Sequence, residues 1–359
     1  LLLWFGAIDS VVPGSRTCRG ERNRLAGMVA VRWTRLGDEA FRGSRDLHCP
    51  AMPGEALEKA GIPSADPIPT GRRADTIGWD TVEVGGHRVK YAACGTGPAA
   101  LFLHGWGLRP NAYRRSIQAM ARAGCRVYAP ALPGFGGTRE LEAEQRTFAG
   151  YAVWVGRFLD AVGEDAAAVV AGHSFGGGVA TAFAYEEPWR VSALLLANAI
   201  GSPTWALFPN EVRTMVERPF WDWGRHFSTD LLNSPGPLRL LPMLLEDFIP
   251  NLVSNPLGMF RAGEFIRRAD LVREVRAIAR WGIPVTVAWS DRDRLVPRSA
   301  FDELRRAAGV DGVVVDGAHT WLIADPARFG ELAISALVDS GALTSRRGTT
   351  TGEPSVHSS

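Results

Sequence analysis

The sequence predicts an α/β protein built on a doubly wound, mostly parallel sheet. Continuous apolar runs of strand length recur along it, among them Ala99–Leu103, Val169–Ala171 and Ile283–Trp289, as expected of strands covered on both faces. Stretches of helix length separate these runs, which is the alternation of a parallel sheet with crossover helices. Several runs end in turns rich in Gly, Ser or Asp, and ligand sites of open α/β sheets lie at that edge of the strands.

Taken in order, residues 1–76 mix arginine, proline and glycine with no sustained period. They are expected to form a disordered extension, apart from a short helix near Gly54–Ala60. The chain starts on Leu1, with Met28 and Met52 downstream, so part of the first 50 residues is expected to be an upstream extension of the reading frame. A hairpin is expected where Thr81–Val84 and His87–Tyr91 alternate on either side of Gly85-Gly86, the pair that tight hairpin turns favour. The core, expected over 77–200 and 274–342, continues with a strand at Ala99–Leu103, a helix over Tyr113–Ala123, a strand at Arg126–Ala129 and a helix over Phe148–Val162. After Val169–Ala171 come a helix and a strand at Val191–Ala197.

The alternation stops between Gly201 and Arg273, a stretch dense in Trp, Phe and Leu. An insertion of that kind is expected to be a helical cap over the strand ends, forming an apolar pocket; a helical subdomain packed on itself is the other reading. The sheet is expected to resume at the strand Ile283–Trp289, followed by a helix over Ser299–Ala308, a strand at Val313–Val315 and a last helix over Pro326–Val338. Residues 343–359 are polar and expected to be a disordered tail.

The chemistry centres on Gly172-His173-Ser174-Phe175-Gly176. A serine between glycines at a strand-to-helix junction is a nucleophile elbow: the turn exposes the hydroxyl, and its flanks must be small. With the β-branched strand before it and the alanine-rich helix after it, the chain resembles the α/β-hydrolase family over roughly residues 78–340. A serine hydroxyl needs a base, and the base needs an orienting group. His319 and a carboxylate after Trp289 supply both, and the chain order Ser, Asp, His is that of the family. Asp291, Asp293 and Asp316 are the candidate acids. The resemblance to a family pattern G-x-x-D-x-x-V-P selects Asp293, with Ser290 standing where glycine is usual.

By the same resemblance the backbone amides of Trp106 and Phe175 form the oxyanion hole. His104 and Gly105, which open the loop His104-Gly105-Trp106-Gly107, are assigned to the substrate site, although the family generally uses such a histidine to support the loop. His173 likewise stands at a position that supports loops. Ala131 takes a place where relatives carry an aspartate, which is expected to loosen the loop through Pro133-Gly134.

A serine at the elbow argues against the alkyl-ester chemistry of related epoxide hydrolases and haloalkane dehalogenases, which use aspartate there. The resemblance implies a serine hydrolase, carboxylesterase- or lipase-like, acting on a small and largely apolar ester. Hydrolysis of carbon–carbon bonds in ring-cleavage products and a non-catalytic ligand-binding relative remain as alternatives. No cofactor and no metal is expected. The 359 residues are 46% hydrophobic and 22% charged, and 40 basic against 38 acidic side chains leave a net charge of +2. That balance argues against nucleic-acid and membrane partners and for small molecules, and the resemblance implies a small-molecule ester. Cys18, Cys49, Cys94 and Cys125 lack metal-ligand spacing, and a cytoplasmic, reducing setting is expected. The apolar start is too short to span a bilayer, which takes roughly 20 residues.

Overall fold

The computed structural model describes residues 76–203 and 244–342, all within the compact unit Ser64–Ser359. The expectations for residues 1–75, the greater part of the cap (204–243) and the tail (343–359) lie outside the described residues.

Among the described residues eight strands form one sheet in the order β1-β2-β4-β3-β5-β6-β7-β8. They are β1 (Gly78–Val84), β2 (His87–Cys94), β3 (Ala99–Leu103), β4 (Arg126–Pro130), β5 (Val169–His173), β6 (Leu194–Ala197), β7 (Val285–Ser290) and β8 (Val313–Val315). The hairpin β1–β2 and the pair β2–β4 are antiparallel, and every later pair is parallel. Gly85 and Gly86 turn the hairpin with φ of 57° and 80°, the double positive φ that side chains with a Cβ resist.

The helices are α1 (Arg114–Arg122), α2 (Phe148–Ala161), α3 (Phe175–Glu186), α4 (Ile249–Ser254), α5 (Pro256–Arg267), α6 (Val272–Arg280), α7 (Arg298–Ala308), α8 (Trp321–Ala324) and α9 (Pro326–Asp339). Because successive strand residues point to opposite faces, the apolar runs divide between two cores. Leu101, Leu103, Val170, Leu194 and Leu196 pack on one side with α2, α3, α6 and α7. Ala100, Phe102, Val169, Ala171 and Leu195 pack on the other with α1 and α9. Both faces are dry, which is why the strands read as unbroken apolar runs rather than alternating ones.

Several elements differ from expectation. The strand at Val191–Ala197 begins only at Leu194, and Val191 pairs through an isolated bridge to Ala167. The strand at Ile283–Trp289 begins at Val285, since Pro284 has no N–H to give a ladder, although its carbonyl still accepts from the Leu194 amide at 2.9 Å. Helix α6 fills a stretch just before Ile283 where no element was expected. It buries Val275 and Ile278 in the same core as α3.

The elbow sits in the centre of the sheet, where β5 is flanked by β3 and β6. A Cβ on Gly172 would lie 2.3 Å from the Gly176 carbonyl oxygen, and one on Gly176 would lie 2.1 Å from the carbonyl oxygen of Leu103. Both obstacles are backbone atoms that side-chain motion does not clear. Gly176→Ala is therefore expected to cost about 3 kcal/mol or more, at the upper end of core overpacking. The midpoint of urea unfolding checks this, and a midpoint within error of the parent would show that the β3–α3 contact is looser than described.

Candidate active site

Ser174 ends β5 and begins the turn into α3 with φ 52° and ψ −116°. A non-glycine residue there is strained by about 1–3 kcal/mol, and such strain persists only where the surroundings enforce it. Here the Ser174 amide donates to Ala197 O of β6 at 3.0 Å, and its carbonyl accepts from the amides of Gly177 (3.0 Å), Gly178 (3.3 Å) and Ile200 (3.2 Å). The backbone is held from both sides, and the half-buried side chain lines the cavity. Phe175 opens α3, and a first-turn amide has no intrahelical acceptor.

His319 lies between β8 and α8 and is buried. Its Nδ1–H donates to Asp293 Oδ2 at 2.8 Å, which leaves Nε2 as the basic nitrogen of the neutral ring. Asp293, on the loop after β7, is held at both carboxylate oxygens. Oδ1 accepts from the amides of Leu295 (2.7 Å) and Val296 (2.9 Å), and Oδ2 also accepts from Asn198 Nδ2. The other two candidate acids stand apart from the histidine. Asp316 is exposed and accepts two bonds from Arg292, at 2.9 and 2.8 Å, and Asp291 caps the Gly317 amide at 3.1 Å.

Asn198 was not foreseen from the sequence. It follows the last residue of β6 with φ 45°, a conformation that Asn tolerates better than most residues. Trp321 Nε1–H donates to its Oδ1 at 2.7 Å. An indole can only donate, so this bond fixes the amide with Nδ2 toward Asp293 and Ser290 Oγ (2.7 Å). Ser290 Oγ–H in turn donates to Ala318 O at 2.9 Å, beside His319. The serine in the place of the family's glycine thus ties the end of β7 to the histidine loop. The available signal was a polar residue closing the apolar run Leu194–Ala197 at its C-terminal edge.

A second buried chain crosses the site. The Gly105 amide donates to Tyr113 Oη at 3.1 Å, Tyr113 Oη–H donates to His173 Nδ1 at 2.8 Å, and His173 Nε2–H donates to the His319 carbonyl at 2.9 Å. Burial, and then the neighbouring His319, hold the His173 pKa well below the ordinary histidine value, so its ring is neutral and this one tautomer satisfies both bonds. Burial also raises the Tyr113 pKa, which keeps its hydroxyl a donor. His173 therefore braces the loop at Gly105 against the backbone of His319.

His104, assigned to the substrate site, is set behind the loop instead. It is wholly buried, with Nδ1–H donating to Gly105 O and Nε2 accepting from the Leu132 amide, both at 2.9 Å. Burial lowers its pKa to about 4. The loop at Ala131 is secured without an aspartate, through Ala131 N to Lys90 O (2.9 Å) and Thr138 Oγ1 to Ala131 O (2.8 Å). Ser174 and His319 line a cavity of about 40 Å³ together with Gly105, Trp106, Leu108, Ile266 and Leu295. Its walls are mostly apolar. Among the described residues no group of His, Cys, Asp or Glu is arranged to hold a metal ion, and no helix is long and apolar enough to cross a membrane.

A strained serine at the junction of β5 and α3 thus shares one cavity with a histidine that is bonded to a carboxylate. Residues 98–326 match the family model described as alpha/beta hydrolase fold. The chain belongs to that family and is a hydrolytic enzyme. It is 27% identical over 71% of its length to a non-heme haloperoxidase of Mycobacterium phage D29, covering 92% of that protein. It is 26% identical over 60% of its length to a pimeloyl-[acyl-carrier protein] methyl ester esterase of Vibrio campbellii, covering 84% of it. A meta-cleavage product hydrolase from Pseudomonas fluorescens IP01 shares the fold, with a TM-score of 0.57 at 21% identity, over 74% of this chain and 98% of that one.

Two outcomes are expected from the buried polar groups. His104 is protonated at about pH 6.5 when unfolded but only near pH 4 when folded. Its contribution to stability is fully present above pH 6.5 and is lost as the pH falls toward 4, by roughly 3 kcal/mol over that window. His173 acts in the same direction. Urea midpoints at pH 7.5 and 5 check this, and equal midpoints would contradict it. Tyr113→Phe strands the Gly105 amide and His173 Nδ1 in a dry interior, at about 1–3 kcal/mol. Its thermal midpoint should fall while Val153→Ala, on the exposed face of α2, leaves it nearly unchanged.

Proposed function

We propose that this protein hydrolyses a small, largely apolar ester through an acyl-enzyme at Ser174. His319 Nε2 takes the proton of Ser174 Oγ as that oxygen bonds to the ester carbonyl carbon. The carbonyl oxygen becomes an oxyanion and is received by the amides of Trp106 and Phe175, a stabilisation worth on the order of 3–4 kcal/mol for each donor. His319 then returns the proton to the departing alkoxide, which leaves as the alcohol. Water, deprotonated by the same nitrogen, repeats the sequence on the acyl-serine and releases the acid. Asp293 keeps the proton on Nδ1, so that Nε2 is always the nitrogen offered to Ser174.

The observation that carries this reading is the 2.8 Å bond between His319 Nδ1 and Asp293 Oδ2, in a ring that shares one cavity with the strained Ser174. The named activity of the Vibrio campbellii relative, an ester hydrolysis, supports it. The apolar lining favours acyl groups longer than acetyl, at about 0.8 kcal/mol for each methylene buried. Carbon–carbon bond hydrolysis is the second reading, favoured by the meta-cleavage product hydrolase of the same fold. A panel of p-nitrophenyl esters of rising chain length beside a vinylogous diketone separates the two.

Ser174→Ala should abolish turnover and fluorophosphonate labelling with an unchanged circular dichroism spectrum. Asp293→Asn should lower kcat by about 10⁴, the order seen when the acid of a serine protease is replaced by its amide, while Asp291→Asn and Asp316→Asn keep most activity. Near-parental kcat in Ser174→Ala would sink the acyl-enzyme, and the opposite ranking of the carboxylates would move the orienting role.

A further inference from the structure

The loop that carries the Trp106 amide is bonded on its outer side by residues 244–267. Trp106 Nε1–H donates to the Met259 carbonyl of α5 at 3.0 Å. Asn251 of α4, only 5% exposed, donates through Nδ2 to Gly107 O at 2.9 Å and accepts through Oδ1 from the Gly136 amide at 2.9 Å. Just beyond, Arg109 Nε donates to the buried Asp247 at 2.6 Å, and Asp247 Oδ2 accepts from the Ala112 amide at 2.9 Å. Gly107 has φ +75°, and a Cβ there would lie 2.8 Å from the Phe248 ring, so the loop backbone lies close against the ring. Residues 106 to 112 thus meet residues 247 to 259 through directional bonds to named atoms, which fix position far more sharply than apolar contact does.

The same segment continues into Ile266, which lines the cavity over Ser174. Helix α5, a wall of that cavity through Ile266, also bonds the oxyanion loop through Met259 O.

We propose that Asn251 is a positioning residue for the oxyanion loop: seating of α4 and α5 over bound substrate sets the Gly107 peptide, and with it the Trp106 amide, in its transition-state geometry. The proposal rests on the acyl-transfer reading of Ser174. Asn251 acts through the backbone and touches neither substrate nor reacting atoms. Its amide suits the task because one end must donate to Gly107 O and the other accept from Gly136 N, a demand that neither Asp nor Leu meets. Oxyanion contacts are made fully only in the transition state, so a loosened loop should appear in kcat rather than in KM.

The test uses the full chain with p-nitrophenyl butyrate. Asn251→Asp keeps an acceptor for Gly136 N and turns the donor facing Gly107 O into an acceptor. Its kcat should fall about 10- to 100-fold, the scale of a misplacement near 1 Å, with KM within about threefold of the parent. Affinity for an alkyl boronic acid, whose tetrahedral adduct fills the oxyanion hole, should fall in parallel, while affinity for the product alcohol stays put. Trp106→Phe removes the indole bond to Met259 O while keeping an aromatic ring beside Phe248 and the backbone amide in place, so it gives a second reading if Asn251→Asp folds poorly. It should show the same split on a smaller scale. If both variants retain parental kcat and boronate affinity, or lose only thermal stability, Asn251 is a structural residue and the proposal is wrong. Failure of the acyl-transfer reading looks different: the parent itself would then resist fluorophosphonate at Ser174.

Discussion

The geometry of the site depends on one close backbone contact. The first turn of α3 lies against the end of β3 so tightly that the carbonyl oxygen of Leu103 occupies the place of a Cβ on Gly176, and the Gly176 carbonyl occupies that of Gly172. Only glycine at both places lets β5 reverse into α3 within one residue, and that reversal puts Ser174 in its strained conformation. The contact is buried in the middle of the sheet, where β3, β5 and β6 are held in register by parallel ladders. The strain of one residue is small beside the apolar burial of that region.

Around this fixed point the chain uses polar networks where its two cores use apolar packing. Asp293, Asn198, Ser290 and Trp321 bond one another from the ends of β6, β7 and the start of α8, and Gly105, Tyr113 and His173 form a chain to the His319 backbone. In a dry interior each such group has few partners to choose from, and leaving one unpaired is costly. The networks therefore specify orientation, including which ring nitrogen of His319 carries the proton, whereas the leucines and valines behind them specify only that the sheet is covered.

Much of this was legible in the sequence. Apolar runs of strand length located the strands of the sheet, although Pro284 shortened β7 and β6 began later than its apolar run. Gly172, Ser174 and Gly176 are close in sequence and dictate a local turn, so the elbow was readable from spacing. Asp293, His319 and the loop at Trp106 were assigned by resemblance to a family pattern, and the structure brings the two side chains together. What spacing did not convey were side chains that act through partners far along the chain. Asn198 looked like any loop residue, Tyr113 like the start of a helix, and Asn251 fell in an insertion read only for its apolar content. His104 was assigned to the substrate site, although the family generally uses such a histidine to support the loop. Its two nitrogens turn out to be used on the backbone of Gly105 and Leu132.

The bond from His173 to the His319 carbonyl joins residues 146 positions apart, and this has a consequence for the order of events during synthesis. The elbow emerges from the ribosome well before β7, β8 and the histidine loop exist. At synthesis rates of about 5–20 residues per second, several seconds or more separate the emergence of Ser174 from that of His319. On the acyl-enzyme reading proposed above, the serine gains its base only once the histidine loop has docked, so the order of synthesis keeps the site unassembled until the end of the sheet is made.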